Sequence, residues 1–349
     1  MAMVQHLPAL KPVASPVCSI CIANYNGLQV LGDCIESVLS QQGDTPLEII
    51  VHDDASTDDS VAWIRQRYPQ VELLASAENV GFCIANNRMV AQARGEFVLL
   101  LNNDAALYPD AIATLLDGIR KLPAPGILTL PQYDWQTGAL VDRGCLLDFF
   151  YNPVPNMDEA RREVAYVIGA CLFLPRTLWN ELGGFPEWFG SIAEDMYICC
   201  LARLRGLPVT ATQASGYRHR QGRSFGGNRV GGGKLDTTYR RRHFSERNKT
   251  AVMVICTPTW LVWPMLVLHL AMLSVEGVLL MLLKRNRQVW RNIYGPTLRY
   301  GMCGLGSLRM YRQGAQQKRV VGLWAYLRSF TPMPRKFSLL WRHGLPGVR

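Results

Sequence analysis

The chain has 349 residues, 49% of them apolar and 18% charged, which is enough to bury a full core and too hydrophobic for a disordered chain. Its formal charge of +10 is divided: residues 1–217 hold 13 Lys/Arg against 24 Asp/Glu, while residues 218–349 hold 24 against 3. A basic C-terminal third calls for an anionic surface, phospholipid or nucleic acid, and not for an acidic tail.

Three prolines, Pro8, Pro12 and Pro16, mark an N-terminal extension over 1–16, with no basic start before an apolar stretch and so no signal-peptide pattern. Val17 to Ala23 reads as a buried strand, followed by a helix from Gly27 to Gln41 with Leu28, Leu31, Ile35, Val38 and Leu39 on one face. The 47–51 run is a second strand, and Ser56-Thr57-Asp58 caps a helix carrying Val61 and Ile64. A strand over Val71 to Ala75, a helix to Ala93 and a strand over 97–101 continue the alternation, which predicts a parallel, right-handed, doubly wound α/β half.

After Pro109 a helix runs to Lys121, and looser short strands follow around Pro131, Gly144 and Asn152. Strand character resumes at Val164 to Ile168 and Cys171 to Leu174. Helices then cover Arg176 to Leu182 and Glu194 to Arg205, the first closed by Gly183-Gly184. Cys18, Cys21, Cys34, Cys83, Cys171, Cys199 and Cys200 all fall within these apolar patterns and read as reduced core thiols of a cytosolic protein. Cys18-x-x-Cys21 lies inside a strand with no second ligand pair.

Three acidic stations stand where apolar runs give way to loops: Asp53-Asp54, Asn102-Asn103-Asp104 and Glu194-Asp195. In open α/β sheets, ligands sit beyond the carboxyl ends of the strands, so the fold should gather these stations at one edge. Asp58 reads as a helix cap.

Taken in order, Ala23-Asn24-Tyr25-Asn26-Gly27, Asp53 through Asp58, Asn79-Val80-Gly81-Phe82 with Asn86-Asn87, Leu101 through Asp104, Gly184-Phe185 and Glu194-Asp195 resemble the inverting family 2 glycosyltransferases. The branch most resembled contains bacterial rhamnosyltransferases and related cell-surface polysaccharide enzymes, over residues 15 to 250. The resemblance implies a GT-A fold in residues 17–239 and a nucleoside-diphosphate sugar donor, dTDP-rhamnose or a UDP-sugar. It places Asp53 on N3 of a uracil or thymine ring. Ala23, Asn24, Tyr25, Asn26, Asp54, Asn79, Gly81, Phe82, Asn87, Asn102 and Asn103 complete the donor pocket. Asp104 matches the last carboxylate of the family's D-x-D motif and would bind Mg or Mn on the diphosphate. This sequence departs from that motif, with Asn at 102. Asp195, beside Glu194, would be the general base. His219 resembles a downstream element near metal and diphosphate, within a basic lid that includes Arg223 and the glycines after it; Arg88 and Arg223 are phosphate candidates.

From 240 onward the chain is basic, aromatic and helical in pattern. The apolar run Trp260 to Leu283 lies between Arg240-Arg241-Arg242 and Lys284-Arg285-Asn286-Arg287. The run is long enough to cross a bilayer, but Pro264, His269 and Glu276 interrupt it. One crossing would strand a basic cluster on the far side, so a bent, interfacial or re-entrant helix on an anionic, cytoplasmic membrane surface is expected. A lipid-linked glycan is the acceptor such a location implies. A processive synthase would need more spans than the one candidate here. A sugar nucleotidyltransferase would carry a glycine-rich basic loop where Ala23 to Gly27 stands. A non-catalytic, nucleic-acid-binding chain leaves the acidic stations unexplained, and no nucleic-acid partner is expected.

Overall fold

The computed structural model describes residues 3–221, 227–231, 234–344 and 347–348. The chain forms two compact units. The first comprises Met1–Cys145, Pro155–Cys199 and Leu207–Ser224, and the second Leu146–Val154, Cys200–Gly206 and Phe225–Arg349. The second unit thus takes in two short segments from the middle of the chain, and the 227–237 hairpin lies in it.

The first unit opens with β1 (Val4–Leu7), β2 (Cys18–Asn24), α1 (Leu28–Leu39), β3 (Leu47–Asp53), α2 (Ser60–Arg67), β4 (Val71–Ser76), α3 (Phe82–Gln92) and β5 (Phe97–Asn102). β2, β3 and β5 are buried almost end to end, as expected for strands covered by helices on both faces. β4, β3, β2 and β5 are parallel neighbours. The chain winds outward from β2 to β4 and then returns to β5 on the other side of β2, which creates a topological switch point between β2 and β5. β1 is not a detached extension. Its four residues pair antiparallel with β4 and cover the sheet edge.

β6 (Ala105–Leu107), α4 (Ala111–Arg120), β7 (Ile127–Thr129), β8 (Gln132–Asp134), β9 (Leu140–Asp142), β10 (Cys145–Asp148) and β11 (Pro153–Pro155) come next. β12 (Cys171–Pro175), α5 (Arg176–Leu182), α6 (Glu194–Leu204), β13 (Val209–Ala211) and β14 (Tyr217–His219) follow. β12 runs antiparallel to β5 and, with β7 and β13, extends the sheet to eight strands. The sequence expectation of a strand over Val164 to Ile168 is corrected: these residues are largely buried but pair only through an isolated bridge, Tyr166 with Cys145, next to that of Glu163 with Thr210. A buried apolar run satisfies the burial signal without a ladder partner. β6, β14, β8 and β9 make a separate small sheet.

In the second unit, β15 (Gly227–Gly231) and β16 (Lys234–Thr237) precede α7 (Tyr239–Cys256), α8 (Val262–Leu283), α9 (Arg287–Val289), α10 (Gly295–Cys303), α11 (Leu305–Gln317), α12 (Leu323–Leu327), β17 (Phe330–Thr331), α13 (Arg335–His343) and β18 (Gly347–Val348). Leu273, Leu280, Val289, Ile293, Tyr294 and Leu298 form its apolar core. A buried ionic cluster lies beside that core. Glu246 faces Arg242 at 3.1 Å, Lys249 at 3.3 Å and Lys336 at 3.0 Å, and Glu276 holds Arg242 at 2.7 Å and Lys336 at 2.6 Å.

α8 is continuous over 22 residues. Pro264 does not bend it, because the third position of a helix has no intrahelical N–H partner to lose. Val262, Leu266, His269, Leu273, Gly277 and Leu280 form its buried side. Val267, Leu268, Met272, Val275, Val278, Leu279, Leu282 and Leu283 stand exposed on the other. Its two polar interruptions are absorbed by the protein: His269 bonds Thr250 Oγ1 at 2.9 Å and Glu276 joins the ion cluster.

Candidate active site at the sheet switch point

Parallel register sets Asn24 of β2 beside Asp53 of β3, and Ala23 beside Asn102 of β5. From this register a hydrogen-bond chain crosses the switch point. Asn103 Nδ2 donates to Asn24 Oδ1 at 2.9 Å, and Asn24 Nδ2 donates to Asp53 Oδ2 at 2.9 Å. Ser56 donates its amide to Asp53 Oδ1 at 2.9 Å and its hydroxyl to Asp53 Oδ2 at 2.7 Å. Three of the roughly four lone-pair positions of the Asp53 carboxylate are thereby used, leaving one for an incoming N–H. Gly27 is required here: a Cβ on it would stand 2.2 Å from Asn103 Nδ2 and 2.3 Å from Asn24 Oδ1. Tyr25 and Asn26 are exposed at the rim, Asn26 with a left-handed φ of 49° and its Oδ1 accepting from the Thr57 amide at 2.7 Å.

Asp54 turns away from Asp53 and accepts from the amides of Val80 at 2.7 Å and Gly81 at 2.9 Å, so it fixes the loop that starts α3. Burial raises its pKa, against the pull of those two amides. Asn79 is exposed on that loop. Asp58 stands one residue before the N-cap of α2, which is Asp59, yet its carboxylate accepts from the Ser60 amide at 3.1 Å and also holds the Leu28 amide at 3.1 Å. Arg88 points to His52 and Ser76, 3.4 Å from each. Burial, then the Arg88 charge, lowers the His52 pKa to about 4, so that imidazole is neutral at physiological pH.

Asp104 and His219 form the second group. His219 Nε2 lies 3.0 Å from Asp104 Oδ1 and 3.3 Å from Asn102 Nδ2, because β14 pairs antiparallel with β6 and sets His219 opposite Ala105. Asp104 is 2% exposed, and its Oδ2 has no hydrogen-bond partner among the described residues. A buried orphaned carboxylate oxygen beside an imidazole suits a divalent cation. No third His, Cys, Asp or Glu joins them among the described residues, so a cation held here would draw further ligands from its substrate.

Behind His219 stands a pair that sequence reasoning missed. Gln132 Oε1 lies 3.0 Å from His219 Nδ1 and accepts from Tyr217 Oη at 2.8 Å, while its Nε2 donates to Asp142 Oδ2 at 3.2 Å. These bonds orient the imidazole so that Nε2 faces Asp104. Burial pushes the Asp142 carboxyl up to about 7. Single polar residues in a loosely patterned stretch carry no periodic signal, and Gln132 finds its partner 87 residues away.

The third station is Asp195 at the start of α6. Its Oδ2 accepts from the Gly169 amide at 2.9 Å and its Oδ1 from the Met196 amide at 2.7 Å. Ala170, next to Gly169, accepts from the Asn102 amide at 3.1 Å, which ties this station to the switch point. Ile192 and Ala193 precede it with φ of 71° and 67°. A β-branched residue rarely adopts that conformation, and such strain gathers at functional sites. Glu194 is buried beside Asp195. Phe82 stacks on Phe185 with ring centroids 6.2 Å apart, and Asn87 exchanges two 2.9 Å hydrogen bonds with the Phe185 backbone.

Of the basic lid, Arg220 is pinned between Asp33, at 2.5 Å, and the Trp135 ring. Arg223 and most of the glycine-rich segment lie outside the described residues. Cys18, Cys21, Cys34, Cys83, Cys171, Cys199 and Cys200 are all buried, as their apolar patterns implied, and burial raises the pKa of Cys18 and Cys21.

A Rossmann-like half whose switch point carries this polar chain, joined to an antiparallel β12, has the GT-A architecture of enzymes that take a sugar from a nucleotide donor. Residues 19–174 match the family model for glycosyl transferase family 2. Residues 97–283, more than half of the chain, match that for glycosyl transferase family group 2. The chain belongs to the family 2 glycosyltransferases, and it is an enzyme of that class.

Among curated relatives, chondroitin synthase of Escherichia coli is 31% identical over 188 residues, 52% of this chain and 26% of that protein. The N-acetylglucosaminyl-diphospho-decaprenol L-rhamnosyltransferase of Mycobacterium tuberculosis is 28% identical over 188 residues, 45% of this chain and 61% of that protein. The matches thus span about a quarter and three fifths of those relatives. The fold is shared with the mannosyltransferase PcManGT from Pyrobaculum calidifontis, solved with GDP-Man and Mn2+ (TM-score 0.50, 17% identity, covering 87% of this chain and 86% of that one). It is shared also with GalNAc-T7, solved with UDP, GalNAc and Mn2+ (TM-score 0.51, 16% identity, covering 58% and 43%).

Proposed function

We propose that this enzyme moves a sugar, with inversion, from dTDP-rhamnose or a UDP-sugar to a hydroxyl of a lipid-linked glycan, on the cytoplasmic face of a bacterial inner membrane. The observation that carries the reading is the Asn103–Asn24–Asp53 chain across the switch point, with the Asp104–His219 pair and Asp195 anchored on the same strand ends.

In this reading the base lies against Asn24, Tyr25 and Asn26, and its imide N–H donates to the remaining lone pair of Asp53. Asn103 and Gly27 keep that acceptor in place. Asp104 and His219, with Asn102 beside them, would hold a divalent cation, which when bound offsets negative charge on the diphosphate as it departs. Asn102 supplies no second carboxylate, so the protein's own ligand charge there is a single negative one. Asp195 accepts the proton of the attacking hydroxyl. The amides of Gly169 and Met196 hold its carboxylate and fix its aim. The strained turn at Ile192 and Ala193 holds Asp195 at the site.

Membrane attachment is assigned to the second unit. Its apolar helix α8 has the length and hydropathy of a membrane segment, yet only 28% of its most apolar window is buried. Since His269 and Glu276 are bonded on the buried side, α8 lies along the surface with its outer side in the lipid. The M. tuberculosis relative, named for a diphospho-decaprenol acceptor, supports a lipid-linked acceptor.

The test is a thermal-shift panel of nucleotide-sugars with and without Mn, followed by transfer to a polyprenyl-diphosphate glycan and NMR of the new anomeric centre. A ligand at about 100 times its Kd stabilises by about 2.7 kcal/mol. Absence of stabilisation by every uridine and thymidine diphosphate sugar would refute the donor assignment.

A further inference from the structure

We infer that the second unit carries a phosphate-binding cleft for anionic phospholipid, built from Arg309, Arg312 and Arg319 at the amino end of α8. This rests on the membrane reading above and names the partner of that surface. The cleft measures about 360 Å³ and is lined also by Thr259, Gln313 and Gln316. Arg309, Arg312, Gln313 and Gln316 recur at helical spacing and share one face of α11.

Arg312 is the floor of the cleft. Its guanidinium donates to the carbonyls of Val254 at 2.8 Å, Thr257 at 2.6 Å and Thr259 at 2.6 Å. These bonds hold the turn between α7 and α8, where Thr259 takes a left-handed φ of 68°. Gln316 Nε2 supports the same turn through the Ile255 carbonyl at 3.0 Å, and its buried Oε1 has no hydrogen-bond partner among the described residues. Arg309 lies over the Trp263 ring at 5.3 Å, at the first turn of α8.

Three guanidiniums around one cleft repel each other unless a counter-charge enters. No carboxylate lines the cleft, and three of the second unit's acids are engaged elsewhere. Glu246 and Glu276 are engaged by Arg242, Lys249 and Lys336, and Asp148 by Asn152 and the Arg335 amide. Among the described residues no ion pair involves Arg309, Arg312 or Arg319. Arginine clusters are well matched to phosphate oxygens.

The setting selects a lipid phosphate over a soluble one. Thr259 lines the cleft, Trp260 next to it is 75% exposed, and the exposed apolar side of α8 begins two turns later with Val267 and Leu268. A ligand with an anionic head and a hydrocarbon body meets both surfaces at once, and an exposed Trp at that junction matches headgroup depth.

The experiment measures sedimentation of the full chain with sucrose-loaded vesicles of phosphatidylcholine alone or with one third phosphatidylglycerol. Each basic residue near an anionic surface strengthens partitioning about five-fold through the diffuse field alone, about thirty-fold for two, so Arg309→Gln with Arg319→Gln, which also removes the cleft's hold on phosphate, should weaken binding to the anionic vesicles by clearly more than that. Arg312 is left intact because it holds the turn. A control double variant, Arg285→Gln with Arg287→Gln, removes equal charge from the other end of α8 and should weaken binding by no more than the roughly thirty-fold that the diffuse field gives. Equal losses in the two double variants would overturn the cleft in favour of a diffuse field. Inorganic pyrophosphate displacing the protein at matched ionic strength, with sodium sulfate inactive, would overturn the lipid assignment in favour of a soluble phosphate. Val275→Glu with Leu279→Glu tests the underlying reading separately: unchanged binding to both vesicle types would sink membrane docking by α8, whatever the arginines do.

Discussion

Replacing Asp195 by Asn separates chemistry from binding, and its two consequences differ in size. Loss of a general base costs about 100- to 10,000-fold in rate. At about 1.36 kcal/mol per decade, that is roughly 2.7–5.4 kcal/mol of transition-state stabilisation. The carboxylate also accepts from two backbone amides, Gly169 at 2.9 Å and Met196 at 2.7 Å. An asparagine has one acceptor oxygen, so its amide group must face one of those N–H donors. Leaving one such donor unmet costs about 1–3 kcal/mol, at the lower end for a residue that is not fully buried. The expected result is a turnover number down at least 100-fold, a nucleotide Kd changed less than three-fold by isothermal titration calorimetry, and stability lowered by about 1 kcal/mol in urea melts. A variant with turnover within ten-fold of the parent would refute Asp195 as the base. Nucleotide affinity falling in step with turnover would show that the station supports the donor pocket instead.

Asp104→Ala is expected to remove the Mn-dependent part of donor affinity, and Asn102→Asp to strengthen Mn binding, both read by calorimetry with and without the ion; full activity in EDTA would defeat the cation assignment. Gly27→Ala drives a methyl group into the Asn103–Asn24 bond and should cost about 1–3 kcal/mol along with most nucleotide affinity, and an unchanged UDP thermal shift would contradict it. For Asp142, burial raises the folded-state pKa from 3.8 to about 7. Between those values the unfolded state releases its proton while the folded state retains it, so this residue lowers stability as pH rises through that window and adds no further loss above it. Urea melts of Asp142→Asn against the parent should therefore favour the variant progressively from pH 4 to 7, and a constant difference would contradict a raised pKa.

The core of the fold was legible because burial on both faces of β2, β3 and β5 writes itself as short apolar runs such as Ile49-Ile50-Val51 and Val98-Leu99-Leu100-Leu101, and because α1 keeps its apolar residues on one face. The Val4–Leu7 strand was not, since a four-residue edge strand with two exposed side chains carries little pattern and lies among prolines. Val164 to Ile168 misled for the opposite reason, being buried with an isolated bridge from Tyr166 to Cys145 in place of a ladder. Site residues close to strand ends could be placed by register alone, as with Asn24 beside Asp53. Gln132 and Asp142 could not, because their meaning comes from a histidine far along the chain. α8 was visible by length and hydropathy, but which side its His269 and Glu276 occupy depends on α7 and α13.

The ionic cluster of the second unit also sets an order of assembly. Arg242, Glu246 and Lys249 come from α7, Glu276 from α8 and Lys336 from α13, so the set spans nearly the whole length of that unit. Before Lys336 is made, Glu246 and Glu276 already meet Arg242 and Lys249, two cations for two carboxylates, so neither acid is left without a partner. During vectorial synthesis α7 and α8 can therefore close on each other before the ribosome has delivered α13. The last helix then docks onto a finished pair, bringing Lys336 as a third cation to a site that is already balanced.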